Sequence, residues 1–174
     1  MTKVEQGRYI ILGSIDGILA VLGGVIGAST AGATNEGVVH VGLGVAVALA
    51  VTNGIGSYLA ESTVEYAKLA EKERPLLRRL TGTRIELGTR RKIRLDSITH
   101  GGASFIGSMI PIIPFVVLES IALAFSIGAS LAALVLLGIY SGRLSRQSVT
   151  AAAAKMVILG VLVVVLVSLL GGGH

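Results

Sequence analysis

Five stretches of about 20 apolar residues punctuate this chain, each long enough to cross the roughly 30 Å hydrocarbon core of a bilayer as a helix. They fall at about 9–31, 37–60, 97–117, 119–141 and 149–171. Backbone polar groups in lipid must find partners within their own segment, so each stretch is expected to be helical. A mean hydropathy of +0.81 and 52% hydrophobic residues agree with a chain surrounded by lipid. Only 14% of residues are charged, against roughly a quarter in soluble domains, and most of these charges lie between residues 61 and 96. The fold class is therefore an all-α integral membrane protein, with five transmembrane helices forming a single domain over residues 1–174.

The basic residues orient the spans. Lys3 and Arg8 precede the first, ten Lys or Arg lie between the second and third, and Arg143, Arg146 and Lys155 surround the turn from the fourth to the fifth. Segment 32–36, the turn near residue 118 and the tail 171–174 carry none. Since Lys and Arg are retained on the cytoplasmic side, the N-terminus is expected in the cytoplasm and the C-terminus outside. A net charge of +5 with 4% aromatic residues follows from this topology and calls for no nucleic acid partner. The first stretch exceeds a signal-peptide core and holds an acid in its interior, so it is read as a span although Ala31–Ala33 resembles a cleavage site. The absence of cysteine excludes disulfides, thiolate metal sites and a thiol nucleophile. A prokaryotic plasma membrane is compatible with these features.

Asp16 lies well inside the first span, where an ionised carboxylate facing lipid costs several kcal/mol. At about 100° per residue, Gly13, Ala20, Gly23, Gly27 and Thr30 fall within about 60° of it. This stripe of small residues is suited to close packing against another helix or against its own copy. Two readings of Asp16 stay open, a hydrogen-bonded packing seam or an acid lining a cation path.

In the second span Asn53, Ser57 and Glu61 recur every fourth residue, and Glu65 continues the row. No breaker occurs before Pro75, so this helix is expected to extend into the cytoplasm, making residues 61–96 a basic helical insertion. Glu61 and Glu65 either share a cation or form a solvated face with Lys68 and Lys72 as partners. In the third span Pro111 and Pro114 each remove a helical N–H, which predicts a kink, either packed or lining a path. Met109 and His100 are candidate path-lining residues, each with a bland alternative as core filler or inert imidazole.

Taken in order, IDGILAVLGGVIGAS, NGIGSYLAE, SFIGSMIPIIP and YSGRLSR resemble the vacuolar iron transporter family over nearly the whole chain. That resemblance implies a homodimer with the first spans at its centre, a metal path along the dimer axis, and movement of Fe2+ or Mn2+ out of the cytosol, often against protons. It places Asp16 at the family's acidic position and makes Gly13, Ala20, Gly23 and Gly27 the expected dimer interface. Where the family typically has Met and Glu near the end of the second span, this chain has Asn53 and Ser57. Asp, Asn and Ser oxygens favour harder cations than a thioether does.

The metal contacts expected on this reading are Asp16, Asn53, Ser57, Glu61 and Glu65. The ion is cargo, and no resident cofactor is expected. Membrane lipid and a second copy are the remaining partners. The competing reading is a non-transporting membrane module whose basic segment holds anionic lipid or a partner. An enzyme is not indicated, because the chain has no nucleophile–base set, phosphate loop or paired-histidine motif, and its three histidines are scattered.

Overall fold

The computed structural model describes residues 3–77, 79–146 and 148–171. Among these are five helices, α1 (Lys3–Thr30), α2 (Asn35–Leu76), α3 (Arg84–Val117), α4 (Ala122–Ser145) and α5 (Val149–Gly171). Each is long and apolar enough to cross a membrane. His174 lies outside the described residues.

The connections are short and capped. Gly32 adopts φ +80°, a conformation that costs glycine little, and Thr34 accepts the Gly37 N–H at 3.2 Å to start α2. Asn35 then donates to the carbonyls of Leu118 and Glu119 at 3.0 and 2.9 Å, so the α1–α2 and α3–α4 turns meet at one end. At the other end α2 and α3 run beyond their apolar stretches. Residues 61–76 continue α2, residues 84–96 begin α3, and a connection of seven residues joins them. Pro75 stands in the last turn of α2, and Leu77 closes it with φ 48°. Thr83 accepts the Glu86 N–H while Glu86 accepts the Gly82 N–H at 2.7 Å, a variant of the capping box that explains why α3 starts well before residue 97.

Helix α1 touches all four others. Val21, Leu22, Val25 and Ile26 on it join Val38, Ala46, Ile112, Phe115 and Ala122 in the hydrophobic core, which lies towards the α1–α2 turn. Helix α5, by contrast, is almost wholly uncovered, with Leu162, Val165, Leu166 and Leu169 exposed. Such a surface belongs in lipid rather than water.

Small residues bring α1 and α3 together. A Cβ at Gly13 would strike the His100 carbonyl oxygen, one at Gly17 the Ser104 carbonyl oxygen, and one at Gly107 would lie 2.6 Å from that of Ser14. Ser108 donates to the Gly17 carbonyl at 3.3 Å across the same crossing. Gly13 is thus buried inside the chain rather than available to a second copy, a correction to its expected place on the dimer seam. Its flank of the stripe is where α3 crosses. Ala20, two turns further along, is exposed. Gly23 and Gly27 are half-buried, with Val163 and Val167 of α5 at ordinary contact distances of 3.6–3.8 Å from where a Cβ would sit.

Helix α3 continues through Pro111 and Pro114 to Val117, so any kink there does not end the helix. Both prolines lie in its last two turns, so few helical bonds depend on the missing N–H groups. They are buried along with Ile112 and Phe115, and Ser126 of α4 donates to the Pro111 carbonyl at 2.7 Å. Met109 packs against this same core.

Candidate functional site

Two polar rows with four-residue spacing face each other across α2 and α3, which run antiparallel. Asn53, Ser57, Glu61 and Glu65 climb α2 towards the basic hairpin, while Ser104, His100, Asp96 and Lys92 climb α3 in the same direction. A step of four on one helix is met by a step of four on the other, producing rungs.

The first rung joins Asn53 Nδ2 to Ser104 Oγ at 2.8 Å, and Ser104 in turn donates to the His100 carbonyl at 2.9 Å. The second joins Ser57 Oγ to His100 Nδ1. On the third level Glu61 and the buried Asp96 line one cavity of about 230 Å³. The fourth is the ion pair of Glu65 with Lys92 at 3.0 Å, which Lys68 joins at 2.8 Å. On this part of α2, beyond the apolar stretch, the Lys68 hydrogen bond holds the Glu65 carboxyl below its ordinary range; partial burial opposes this and Lys92 adds to it.

Helix α1 lies along the rungs and contributes Asp16, Tyr9 and Arg8. Asp16 sits about 20 Å from either end of its helix. Its Oδ2 accepts from Asn53 Nδ2 at 3.3 Å and lies 3.8 Å from His100 Nε2. Two turns away Tyr9 donates its hydroxyl to Glu61, stacks obliquely on the His100 ring at 5.7 Å, and accepts from Arg8 at 2.8 Å. Arg8 also pairs with Glu61 at 3.4 Å.

The row is closed except at one place. Side chains of His100, Glu61 and Glu65 are 14%, 14% and 11% exposed, whereas that of Asp16 is 47% exposed. Its open side is continuous with Ala20 and the half-buried Gly23 and Gly27.

Of the residues singled out from the sequence, Asp16, Asn53 and Ser57 converge with His100 at one depth, and Glu61 follows next along the row. Glu65 is at the far end, engaged by two lysines. Asn53 offers its amide nitrogen to Asp16, so in this arrangement it orients the carboxylate. Among the described residues no three His, Cys, Asp or Glu come together as a metal cluster. Chemically, the row offers a carboxylate and an imidazole held close without a hydrogen bond, with hydroxyls and further carboxylates leading to the hairpin.

Tyr9, Ser104 and Asp96 are members that sequence reasoning did not single out. The signal was present in each case. Tyr9 lies about 20° from Asp16 on the α1 wheel, and Asp96 and Ser104 stand four residues on either side of His100.

Two comparisons with known proteins bear on this arrangement. The family model described as the VIT family matches residues 77–172. An uncharacterized protein of the archaeon Methanocaldococcus jannaschii is 34% identical over 158 residues, covering 88% of this chain and 82% of that relative.

Proposed function

Because the chain belongs to the VIT family, the vacuolar iron transporter family of membrane proteins that move metal ions, we propose that it carries a divalent cation, Fe2+ or Mn2+, out of the cytosol. The observation that carries this reading is the polar row converging on Asp16. It is the acid inside the apolar stretches of α1 and α2, and it is half open on a small-residue face. An ionised carboxylate cannot be left to hydrocarbon, so a second copy covers that face and the path runs along the resulting two-fold axis. Ala20, Gly23 and Gly27 then form the seam, with α5 flanking it.

The cavity between Glu61 and Asp96 is the cytoplasmic mouth of the path. Cations are attracted there by Glu61, Glu65 and Asp96, and in the ion's absence Arg8 holds Glu61 while Lys68 and Lys92 hold Glu65. Alternation of Asp16 between a bound ion and a proton supplies exchange. Replacing Glu61 with Gln keeps the Tyr9 contact but removes one charge from the mouth. Mn2+ uptake into proteoliposomes is expected to fall several-fold without vanishing, because Asp96 and Glu65 remain.

On the retention of Lys and Arg in the cytoplasm we read the hairpin and N-terminus as cytoplasmic and the C-terminus as outside, in a membrane for which a prokaryotic plasma membrane is the compatible choice. Single cysteines in this cysteine-free chain test the sidedness. Ala33 and Thr81 are exposed and cap no helix, unlike Thr34 and Thr83. An impermeant thiol reagent applied to whole cells is expected to label position 33 and leave position 81 unmodified; the reverse pattern overturns the orientation. Uptake assays decide the function itself. A folded wild-type protein that moves neither Mn2+ nor Fe2+ would return the non-transporting, lipid-holding module as the better reading.

A further inference from the structure

His100 presents a nitrogen that the fold has fixed in place and left without a hydrogen bond. Its Nδ1 is taken by Ser57, its ring is braced by Tyr9, and its Nε2 is buried without a hydrogen-bonding partner. A buried polar atom in that state costs free energy unless something meets it. What it faces is Asp16 Oδ2, 3.8 Å away. That gap is too long for a hydrogen bond. It is a few tenths of an ångström wider than the roughly 3.0–3.6 Å between neighbouring ligand atoms that each lie about 2.0–2.2 Å from one ion, so a small closing movement would let both reach it.

We infer that His100 Nε2 and the Asp16 carboxylate together ligate the transported cation, and that the imidazole makes the site selective for transition metals over Ca2+ and Mg2+. This deepens the transport reading of Asp16 and rests on it. Carboxylate, amide and hydroxyl oxygens alone favour hard cations, whereas an imidazole nitrogen suits Fe2+ and Zn2+, with Mn2+ the weakest nitrogen binder of the transition series. Imidazoles that bind metal are characteristically held at their other nitrogen by a second group, which fixes tautomer and direction. Ser57 does that here, and Asn53 does the same for the carboxylate. Two protein ligands with water completing the shell bind an ion loosely, as conduction requires, since a site that holds too tightly cannot release.

The test uses the full chain in lipid nanodiscs with Mn2+ as the probe. Titration followed by electron paramagnetic resonance counts bound ions, and pulsed measurements read the coupling of the electron spin to 14N. Wild-type protein is expected to bind Mn2+ with an imidazole 14N coupling. In His100→Gln that coupling disappears, and the preference for Mn2+ over Ca2+ falls by roughly tenfold or more. In Ser57→Ala the coupling persists while Mn2+ affinity drops by about tenfold, the cost of losing an outer-shell partner. Mn2+ bound without 14N coupling in the wild type overturns the assignment of His100 and leaves the role of Asp16 standing. Folded protein that binds no Mn2+ overturns both. The wild-type spectrum decides even if the His100 variant fails to fold.

Discussion

Asp16→Asn is expected to reduce uptake of Mn2+ or Fe2+ by proteoliposomes to background while the protein still folds. The substitution conserves size and keeps an oxygen for the Asn53 amide, whose bond to Asp16 spans 3.3 Å. What it removes is the one formal negative charge inside the apolar stretches of α1 and α2. Bringing a divalent ion into a low-dielectric span without a compensating charge costs far more than a neutral amide returns. Folding need not suffer, since a neutral side chain at this depth is cheaper to bury than a carboxylate. Uptake measured beside size-exclusion profiles separates the two effects. Undiminished transport by a well-folded Asp16→Asn protein would remove the carboxylate from the mechanism.

The second large effect is structural. Gly17→Ala is expected to destabilise the protein by about 1–3 kcal/mol, the usual cost of forcing a methyl group into filled space. The new Cβ would run into the Ser104 carbonyl oxygen, which is backbone and cannot rotate away. The remedy is separation of α1 from α3, and that crossing sets the distance between Asp16 and His100. Transport should therefore fall together with thermal stability. Gly44→Ala is the control, because nothing lies within 4 Å of a Cβ built there. Equal melting midpoints for the two variants would show that the α1–α3 contact is softer than its geometry implies.

How much of this was legible beforehand differs between fold and site. Helix count and apolar cores were readable because lipid leaves the backbone few choices, and a 20-residue apolar run has one plausible fate. The start of α3 was obscured because hydropathy marks only the apolar part of a helix, while this one begins in charged sequence under the Thr83–Glu86 cap. In α3 the prolines pointed to a kink, packed or lining a path, and their burial with Ile112 and Phe115 puts that segment in the core. The α2 row was visible as a four-residue period. Its partner row on α3 has the same period but mixes Lys, Asp, His and Ser, so no single residue type advertises it. Only the antiparallel pairing of the two helices shows that they share a register. Gly13 illustrates the remaining ambiguity, since a small-residue stripe says that something approaches closely and does not say whether it belongs to the same chain.

Helices α2 and α3 each run without interruption from the row into the basic hairpin, a distance of about 35 Å from Asn53 to Leu76. The rungs bind the two helices to each other, so hairpin and rungs form one rigid lever with its fulcrum in the bilayer. Asp16 is carried on a third helix, which the backbone contacts at Gly13 and Gly17 fasten to α3 and the Tyr9–Glu61 bond fastens to α2. Any tilt imposed at the hairpin is therefore passed on to α1 as well, so that the 3.8 Å gap between His100 and Asp16 is carried along and the displacement falls on the exposed side of Asp16 and whatever covers it.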